Sequence, residues 1–444
     1  MISLCKLNST SKRIIFSGLI GNLLESFDIM ICIYLAHIVS QAFFSPSTQN
    51  KNLLYTFFVF LAGYLSRPLG SLLIGIFADQ VGRKKMLVYS LLMTGGCTAI
   101  IGLIPSYQTI GVTASILFLF FRILQNISVG GEYISSISYL VESASKHKRG
   151  FYGSWVSVGF NGGALLASFL VYIVVSGINH NYLPEWSWRL IFLVAIIGTL
   201  LGYWIRISLP ESLGYILANS SSRQPSKFTI LKSSFFYLKE YPLYCLSLMV
   251  ISWLGVSETS AIFIYSPIHM ATINTLSVQK ALEINTLSLL LLTLIIPFFG
   301  YLYDRINRLK LLVMTTISFI VLAPMYFYYL SYGSYFQILI SKLLFSIPSA
   351  CYYAVATVLI TESFPVSIRC TSLALIYQMV SALAGGLTPI ILIYLSQHYH
   401  PGWAPAAYIM LSGGFCLLGL SYLYTFRHRQ PLAESAEFSL IELT

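Results

Sequence analysis

Two long apolar runs of this 444-residue chain meet at the charged turn Gly75-Ile-Phe-Ala-Asp79-Gln-Val-Gly82-Arg83-Lys84-Lys85. A weaker copy follows at Gly300-Tyr-Leu-Tyr-Asp304-Arg305-Ile-Asn307-Arg308-Leu-Lys310, with its aspartate 225 residues later. An aspartate at a helix start can accept backbone hydrogen bonds, and the helix dipole favours an anion there. A glycine such as Gly82 permits a tight turn with positive φ. The repeated turn predicts a protein built from two similar halves.

The composition of the chain excludes an ordinary soluble protein. It is 57% hydrophobic and only 9% charged, whereas soluble domains carry about 25% charged residues. Lipid is therefore the expected solvent for much of the surface. The net charge of +11 comes from short basic clusters between apolar runs, so no continuous basic face for nucleic acid is expected.

Motifs for catalysis and for metal binding are missing from the sequence. The chain has no Walker loop, no GxSxG and no HExxH motif, so we expect neither ATP hydrolysis nor another enzymatic activity. Most of its seven cysteines fall inside apolar runs and none has CxxC spacing. We interpret them as packing residues and predict no metal site and no cofactor.

Apolar runs of membrane-spanning length predict an all-α membrane protein. A bilayer core of about 30 Å needs roughly 20 apolar residues as helix. Twelve such runs lie near 14–37, 53–78, 86–105, 110–140, 151–176, 189–208, 243–266, 284–303, 311–331, 335–360, 370–396 and 404–426. The one long connection separates two parallel six-helix repeats. We predict an N-terminal half at 1–208, a linker at 209–242 with a short helix at Ile230–Tyr241, a C-terminal half at 243–426 and a tail at 427–444.

The distribution of basic residues predicts the orientation of these helices. With the N-terminus in the cytoplasm, 20 of the 26 lysines and arginines fall in cytoplasmic segments and three on the opposite side. The remaining three, Arg67, Arg122 and Lys342, lie within spans. This asymmetry follows the positive-inside rule, so we expect both termini in the cytoplasm.

A second pair of landmarks supports the repeat. Glu142 and Arg149 follow span 4, and Glu362 and Arg369 follow span 10 with an offset of 220 residues. Parallel halves of this kind fit transporters that bind substrate between the halves. We predict that Arg83 pairs with Glu142 or Glu362 in a conformational latch. The alternative is a topogenic basic cluster with a solvated aspartate. The predicted latch residues are Gly75, Asp79, Gly82, Arg83, Lys84, Glu142, Arg149, Asp304, Arg305, Arg308, Glu362 and Arg369.

Several segments resemble the major facilitator superfamily, and more specifically its metabolite:proton symporter group, which includes proline/betaine, 2-oxoglutarate, citrate and shikimate transporters. Beside the turn at Gly75–Lys85, they are Gly21-Asn-Leu-Leu-Glu25-Ser-Phe-Asp28, Arg67-Pro68-Leu-Gly70, Arg122-Ile-Leu-Gln125-Asn126-Ile-Ser128-Val-Gly130-Gly131-Glu132-Tyr133 and Lys148-Arg149-Gly150-Phe-Tyr-Gly153-Ser-Trp155. Asn307 and Asn126 replace glycines of the family pattern. Asparagine tolerates the left-handed conformation, so the first change is mild. The second is expected to alter the packing surface of span 4.

Ionisable groups at membrane depth are costly and by default mark function. The resemblance implies that Asp28 and Arg122 occupy positions linked to proton coupling. Our hypothesis is that Asp28 carries the proton, with Arg122 as its switchable partner and Glu25 or Glu132 assisting. The alternative is a static buried ion pair that only orders helix packing.

The predicted substrate path contains Arg67, Tyr133, Glu258 and Asn161. Arg67 holds a substrate carboxylate, snorkels, or forms a structural ion pair with Asp28 or Glu25, and we favour the structural pairing. Tyr133 is expected to face the cavity, and Glu258 stands in a polar stretch of span 7. Lys342 either lines the substrate path from the second half or lies near the outer end of span 10, where it would snorkel to the membrane surface.

These features predict a secondary active transporter of the bacterial inner membrane: a proton-coupled symporter of a small polar metabolite, either a carboxylate or a zwitterion, that works by alternating access. A passive facilitator or an antiporter of the same fold remains open, and a sensor or a membrane-embedded transferase is less favoured. We expect a functional monomer whose partners are the lipid bilayer, the substrate and protons, with no nucleic acid.

Overall fold

The computed structural model describes residues 9–45, 49–81, 83–207, 227–274, 276–365 and 368–429. Helix is the only regular structure in these ranges. The N-terminal half consists of six long helices: α1 (Ser9–Tyr34, continued by Ala36–Phe43), α2 (Gln49–Val81), α3 (Arg83–Leu103), α4 (Val112–Val129, continued by Glu132–Ser143), α5 (Arg149–Asn179) and α6 (Trp188–Ile207).

The C-terminal half repeats this order. Its helices are α7 (Pro242–Thr272), α8 (Val278–Tyr303), α9 (Arg308–Tyr332), α10 (Tyr335–Glu362), α11 (Arg369–His398) and α12 (Ala404–Arg429). A linker helix, Lys227–Glu240, precedes α7 and begins three residues before the predicted one. Its Tyr237 ring packs 5.9 Å from the ring of Phe364 between α10 and α11.

The described residues contain ten helices that are long and apolar enough to cross a membrane. An eleventh crossing is the bent helix α1, whose two parts meet at 65°. The apolar part of α3, Val88–Leu103, is shorter than the others. In chain order these helices form the predicted all-α, twelve-helix fold, which is confirmed.

Helix α9 begins in a way that the sequence did not predict. Asn307 has φ −60° and ψ 112°, which is extended backbone. Its side chain accepts hydrogen bonds from the backbone N–H groups of Leu309 and Lys310. Asn307 therefore serves as an N-cap and does not use the left-handed conformation that asparagine tolerates.

Two helices of the C-terminal half contain a wider turn. Residues Ser260–Tyr265 of α7 and Ala374–Gln378 of α11 form π-helical segments. Such segments insert an extra residue into a helix and often occur at functional sites. Both lie beside the space between the two halves.

Helices α5 and α8 join the halves along their whole length. Near the start of α5, an added Cβ on Gly150 would lie 2.6 Å from the carbonyl oxygen of Gly300. Near the other end, Gln279 Nε2 donates a 2.9 Å hydrogen bond to Ser176 Oγ. Since helices alternate in direction, the turns after α4, α8 and α10 lie at one end of the bundle. We call it the linker end.

Candidate substrate cavity and gate

A cavity lies between the two halves. It contains about 900 Å³ of empty space, part of it open to solvent. Helices α1, α2, α4 and α5 form one wall, and α7, α10 and α11 form the other. The side chains that give these walls their chemistry are Glu25, Tyr64, Arg67, Tyr133, Ser157, Asn161, Ser252, Thr259, Ser260, Tyr352, Tyr353, Thr357, Tyr377, Gln378 and Ser381. Such a mixture of aromatic and polar groups suits a small polar ligand.

Arg67 is held in the cavity wall by neutral groups. Its Nε donates a 2.9 Å hydrogen bond to Oδ1 of Asn126, and its Cζ lies 3.9 Å from the centre of the Tyr64 ring. Within the described ranges Arg67 forms no salt bridge. The favoured expectation of an ion pair with Asp28 or Glu25 was therefore wrong. Asn126 takes the place of a carboxylate and leaves the positive charge of Arg67 uncompensated by a direct contact.

Tyr133 connects the halves across the cavity. Its ring stacks on Tyr377 of α11, with centroids 5.3 Å apart and planes at 13°. Its hydroxyl lies 3.4 Å from Thr357 Oγ1 of α10. Asn161 also belongs to the wall, where its Nδ2 donates to the carbonyl of Ser157. A role of either residue in substrate binding stays a prediction.

Asp28 and Arg122 are both buried, at 2% and 0% exposure. Gln125 connects them: it accepts from Arg122 Nη1 at 2.6 Å through Oε1 and donates from Nε2 to the backbone carbonyl of Asp28 at 3.1 Å. The Cζ of Arg122 lies 4.9 Å from the ring centre of Phe60. Glu25 lines the cavity. Glu132 begins the second part of α4, and its side chain lies outside the described structure.

Lys342 and Glu258 are buried in the C-terminal half. Lys342 is 0% exposed, and its Nζ donates to Ser266 Oγ at 2.8 Å and to Asn285 Oδ1 at 2.7 Å. The expectation that Lys342 snorkels to the membrane surface was wrong, because polar side chains of α7 and α8 receive its donors inside the bundle. Glu258 is 1% exposed and accepts a hydrogen bond from Ser349.

A reciprocal pair of salt bridges joins the two halves at the linker end. Arg149 of the N-terminal half contacts Glu362 of the C-terminal half at 3.3 Å. Arg369 of the C-terminal half contacts Glu142 of the N-terminal half at 2.7 Å. Because 142 and 149 correspond to 362 and 369 in the repeat, each half supplies one acid and one base. Glu362 also contacts Arg308 and accepts from the hydroxyl of Tyr303.

Asp304 links the second charged turn to α5. Its Oδ1 and Oδ2 accept hydrogen bonds from the backbone N–H groups of Gly150 (2.7 Å) and Phe151 (2.9 Å). These are orphan donors at a helix start, where a negative charge is favoured. Burial raises the pKa of Asp304, and the two backbone hydrogen bonds oppose that rise. The guanidinium of Arg305 lies 4.4 Å from the ring centre of Tyr301, and its role in the latch stays a prediction.

The first charged turn is only partly described. Gly75 and Asp79 lie in α2 and Arg83 and Lys84 lie in α3, but their side chains are outside the described structure. Gly82 lies outside the described residues altogether. The predicted pairing of Arg83 therefore stays a prediction. Within the second half, the corresponding residue Arg308 contacts Glu362.

Four participating residues were not predicted from the sequence as site residues: Gln125, Asn126, Tyr303 and Asn285. The replacement of a family glycine by Asn126 was a usable signal, since a polar side chain appears where the family pattern has none. Asn285 and Tyr303 carry no such signal, because each becomes relevant only through helices distant in sequence.

The two halves surround a polar cavity, and ion pairs between them close one end of the bundle. Proteins of this design are secondary transporters that alternate between two openings. The family profile described as "Sugar (and other) transporter" matches residues 14–232, and "Major Facilitator Superfamily" matches residues 248–442. The chain belongs to the major facilitator superfamily and, within it, to the metabolite:proton symporter group.

Individual relatives cover nearly the whole chain. The shikimate transporter of Escherichia coli is 31% identical over 417 residues, which are 92% of this chain and 93% of that protein. The citrate-proton symporter of Salmonella typhi is 29% identical and covers 86% and 88%. The proline/betaine transporter of Salmonella typhimurium is 27% identical and covers 90% and 81%.

Solved structures support the fold. The xylose transporter of E. coli, in a partially occluded inward-open conformation, superposes with TM-score 0.73 at 18% identity and covers 94% of this chain and 98% of that one. The human organic anion transporter MFSD10 gives 0.63 at 15% identity and covers 93% and 99%. The family profiles and the relatives that cover nearly the whole chain identify the protein as a multi-pass membrane transporter and not an enzyme.

Proposed function

We propose that the protein is a proton-coupled symporter that imports a small metabolite bearing a carboxylate. The observation that carries this proposal is Arg67: a cation in the wall of the central cavity, held by Asn126 and Tyr64, with no direct carboxylate partner in the described chain. Guanidinium groups bind carboxylates through paired N–H donors. When the substrate binds, its carboxylate supplies the negative charge that balances Arg67.

The tyrosines and amides around Arg67 suit the remainder of such a substrate. Tyr133 and Tyr377 provide ring faces and hydroxyls from opposite halves, and Gln378 and Asn161 provide amides. A ligand that touches both walls stabilises the closed cavity more than either open form. This differential binding is what couples substrate to the conformational change.

In this proposal Asp28 carries the proton, and Arg122 and Gln125 are its neighbouring side chains. Both charged residues are buried next to the cavity-lining part of α1, and Gln125 contacts both. Opening of the bundle changes how water reaches this group. The carboxyl group then takes up a proton on one side and releases it on the other.

Alternating access uses the salt bridges at the linker end as a gate. Two of these salt bridges and the hydrogen bonds of Asp304 join opposite halves, so separation of the halves breaks these contacts together. We place the linker end on the cytoplasmic side of the bacterial inner membrane, because most basic residues lie in segments at that end. The described conformation then has its cytoplasmic gate closed. We propose that the monomer is the working unit.

Transport by purified protein in proteoliposomes tests this proposal. A thermal-shift screen against amino acids, betaines and di- and tricarboxylates first identifies a ligand, because binding to the folded state raises Tm. Uptake of that ligand is then measured with an inward proton gradient, with and without a protonophore. We expect accumulation above equilibrium that the protonophore abolishes. Equilibration without accumulation indicates a facilitator, and binding without transport indicates a sensor.

Asp28→Asn tests the proton carrier. We expect this variant to lose gradient-driven accumulation while it still exchanges labelled for unlabelled substrate, since exchange needs no net proton release. Glu283→Gln is the matched control, because Glu283 is a carboxylate of α8 outside the cavity wall. Unimpaired accumulation by Asp28→Asn refutes the assignment.

A further inference from the structure

Two ionisable side chains that the proposed mechanism does not use lie in the interface between α7 and α10. Glu258 of α7 is 1% exposed and Lys342 of α10 is 0% exposed. Each is bonded to the opposite helix: Ser349 of α10 donates to Glu258 Oε1, and Lys342 donates to Ser266 of α7 at 2.8 Å. The carboxyl and ammonium groups therefore belong to one packed surface.

The two groups do not form an ion pair. Across the described ranges neither takes part in a salt bridge, and Glu258 Oε2 has no hydrogen-bond partner. Ser349 follows Lys342 by seven residues, which is about 10 Å along a helix. A single buried charge costs several kcal/mol. Attraction between the two groups, when both are charged, therefore acts over a distance through the protein interior and not through a direct contact.

The side chains named around both groups are uncharged, and three of them are tyrosines. Glu258 accepts a hydrogen bond from Ser349, and its charge is felt by Tyr352 and Tyr353 of α10 and by Tyr326 of α9. Lys342 faces Ser266 of α7, Asn285 of α8 and the Phe263 ring, which lies 5.6 Å from Nζ. In this environment Glu258 is the one carboxylate and Lys342 the one ammonium among the described neighbours.

Glu258 lies one residue from the cavity. Its chain neighbour Thr259 lines the cavity, as do Gly255 one turn earlier and Tyr353 across the interface. The π-helical segment of α7 begins at Ser260, two residues after Glu258. Such wider turns often occur at functional sites, and this one begins close to Glu258.

We propose that Glu258 is a second proton-exchanging group of the transport cycle and that Lys342 is the buried charge that balances it when it is deprotonated. The inference rests on the proposed proton-coupled function. In the step itself, the O–H bond of the Glu258 carboxylic acid breaks, its electron pair remains on the carboxylate, and the proton passes to water in the cavity.

The contacts of Lys342 connect this group to the opposite half. Asn285 accepts from Lys342 through Oδ1 and donates from Nδ2 to Ser168 Oγ of α5 at 3.2 Å. Ser168 Oγ also lies 2.8 Å from Thr286 Oγ1. Separation of α5 from α8 changes these contacts and so changes the environment of Lys342. Proton release by Glu258 thereby depends on the relative position of the two halves.

The proton-to-substrate ratio tests the inference. We measure it from the substrate gradient that balances an imposed pH gradient in proteoliposomes, for the wild type, Glu258→Gln and the control Glu283→Gln. We expect Glu258→Gln to transport one proton fewer, which lowers the limiting accumulation about tenfold per unit of pH gradient. An unchanged ratio in Glu258→Gln overturns the inference while the proposed function stands.

A second readout does not depend on transport. The infrared band of protonated carboxyl groups is recorded for purified wild type and Glu258→Gln as pH is varied. We expect the wild type to show one pH-dependent component, that of Glu258, that the variant lacks, beside the components of other carboxyl groups that both retain. Identical pH-dependent spectra of the two proteins overturn the inference. Substrate accumulation by the wild type that the protonophore does not change would refute the proposed function, and this outcome is distinct from the failure of the inference about Glu258. Lys342→Met is expected to move the wild-type infrared transition to higher pH.

The double variant Glu258→Gln/Lys342→Met controls for folding. It removes both buried charges, so neither is left alone in the interface. We expect it to fold at least as well as Lys342→Met and to show the reduced ratio of Glu258→Gln. A double variant with the wild-type ratio overturns the inference even if Glu258→Gln alone does not fold.

Discussion

The side chain of Asn126 forms a bridge between α2 and α4: its Oδ1 accepts from Arg67 Nε at 2.9 Å, and its Nδ2 donates to the carbonyl of Arg122 at 2.9 Å. Gly63 of α2 leaves room for it, since an added Cβ there would lie 2.7 Å from Asn126 Nδ2. A residue that departs from the family pattern thus positions the cation of the cavity.

Asn126→Ala is expected to weaken substrate binding through the loss of this positioning. A hydrogen bond to a charged group contributes about 1.5–3 kcal/mol, so we expect KM to rise by roughly 10-fold or more with a smaller change in kcat. The measurement is initial uptake against substrate concentration. The control is Asn22→Ala, because Asn22 makes a similar bond to its own helix outside the cavity wall. Equal effects of both variants would argue against a positioning role.

The reciprocal salt bridges predict compensation between Glu142 and Arg369. Each single charge reversal, Glu142→Arg or Arg369→Glu, places like charges together and should shift the equilibrium toward the form open at the linker end. The double reversal restores an attractive pair across the halves. We expect single reversals to slow transport and the double reversal to recover a large part of the rate. The check is a double-mutant cycle on uptake rates, and strict additivity would contradict the contact.

Asp304→Ala is expected to weaken the gate more than Asp304→Asn. The alanine removes both acceptors for the N–H groups of Gly150 and Phe151, whereas the asparagine keeps one. Spectroscopic distance measurements between labels on the two halves report the closed fraction. An equal closed fraction in both variants would show that these acceptors do not hold the gate.

The raised pKa of Asp304 also gives that gate a pH dependence. The closed state binds the Asp304 proton more tightly than an exposed aspartate would, so acid favours closure. This advantage is lost as pH rises through the raised pKa. The closed fraction is measured against pH in the wild type and in Asp304→Asn, and the difference between the two curves is the contribution of Asp304. A closed fraction that falls with acid in the wild type but not in the variant would contradict the predicted direction.

The crossing of α5 and α8 predicts a steric block of closure. Gly150→Ala brings a methyl group within 2.6 Å of the Gly300 carbonyl oxygen, closer than real carbon atoms approach. Backbone cannot yield as a flexible side chain does, so we expect the variant to favour the form open at the linker end and to transport slowly. Gly96→Ala and Gly414→Ala are matched controls, since nothing lies within 4 Å of an added Cβ at either position. Normal transport by Gly150→Ala would refute the tight crossing.

Local sequence accounts for the membrane helices and the repeat. Apolar runs long enough to cross a bilayer predict helices, because every backbone polar group in lipid must be bonded within its own segment. The spacing of Glu142 and Arg149, and its recurrence at Glu362 and Arg369, is enough to select these four as candidate gate residues. Which acid pairs with which base could not be predicted from the sequence, because each pair joins opposite halves and depends on how the two repeats face each other.

Tertiary packing decided which charges are compensated and by what. From sequence, Arg67 was expected to pair with an acid and Lys342 to reach the membrane surface, but Asn126 holds the first, and Ser266 and Asn285 hold the second. The cost of burying a charge depends on the groups brought to it from other helices. The sequence by itself determined the number and order of the helices and their division into two similar halves. Which side chains meet between α2 and α4, and between α7, α8 and α10, is decided only when those helices pack.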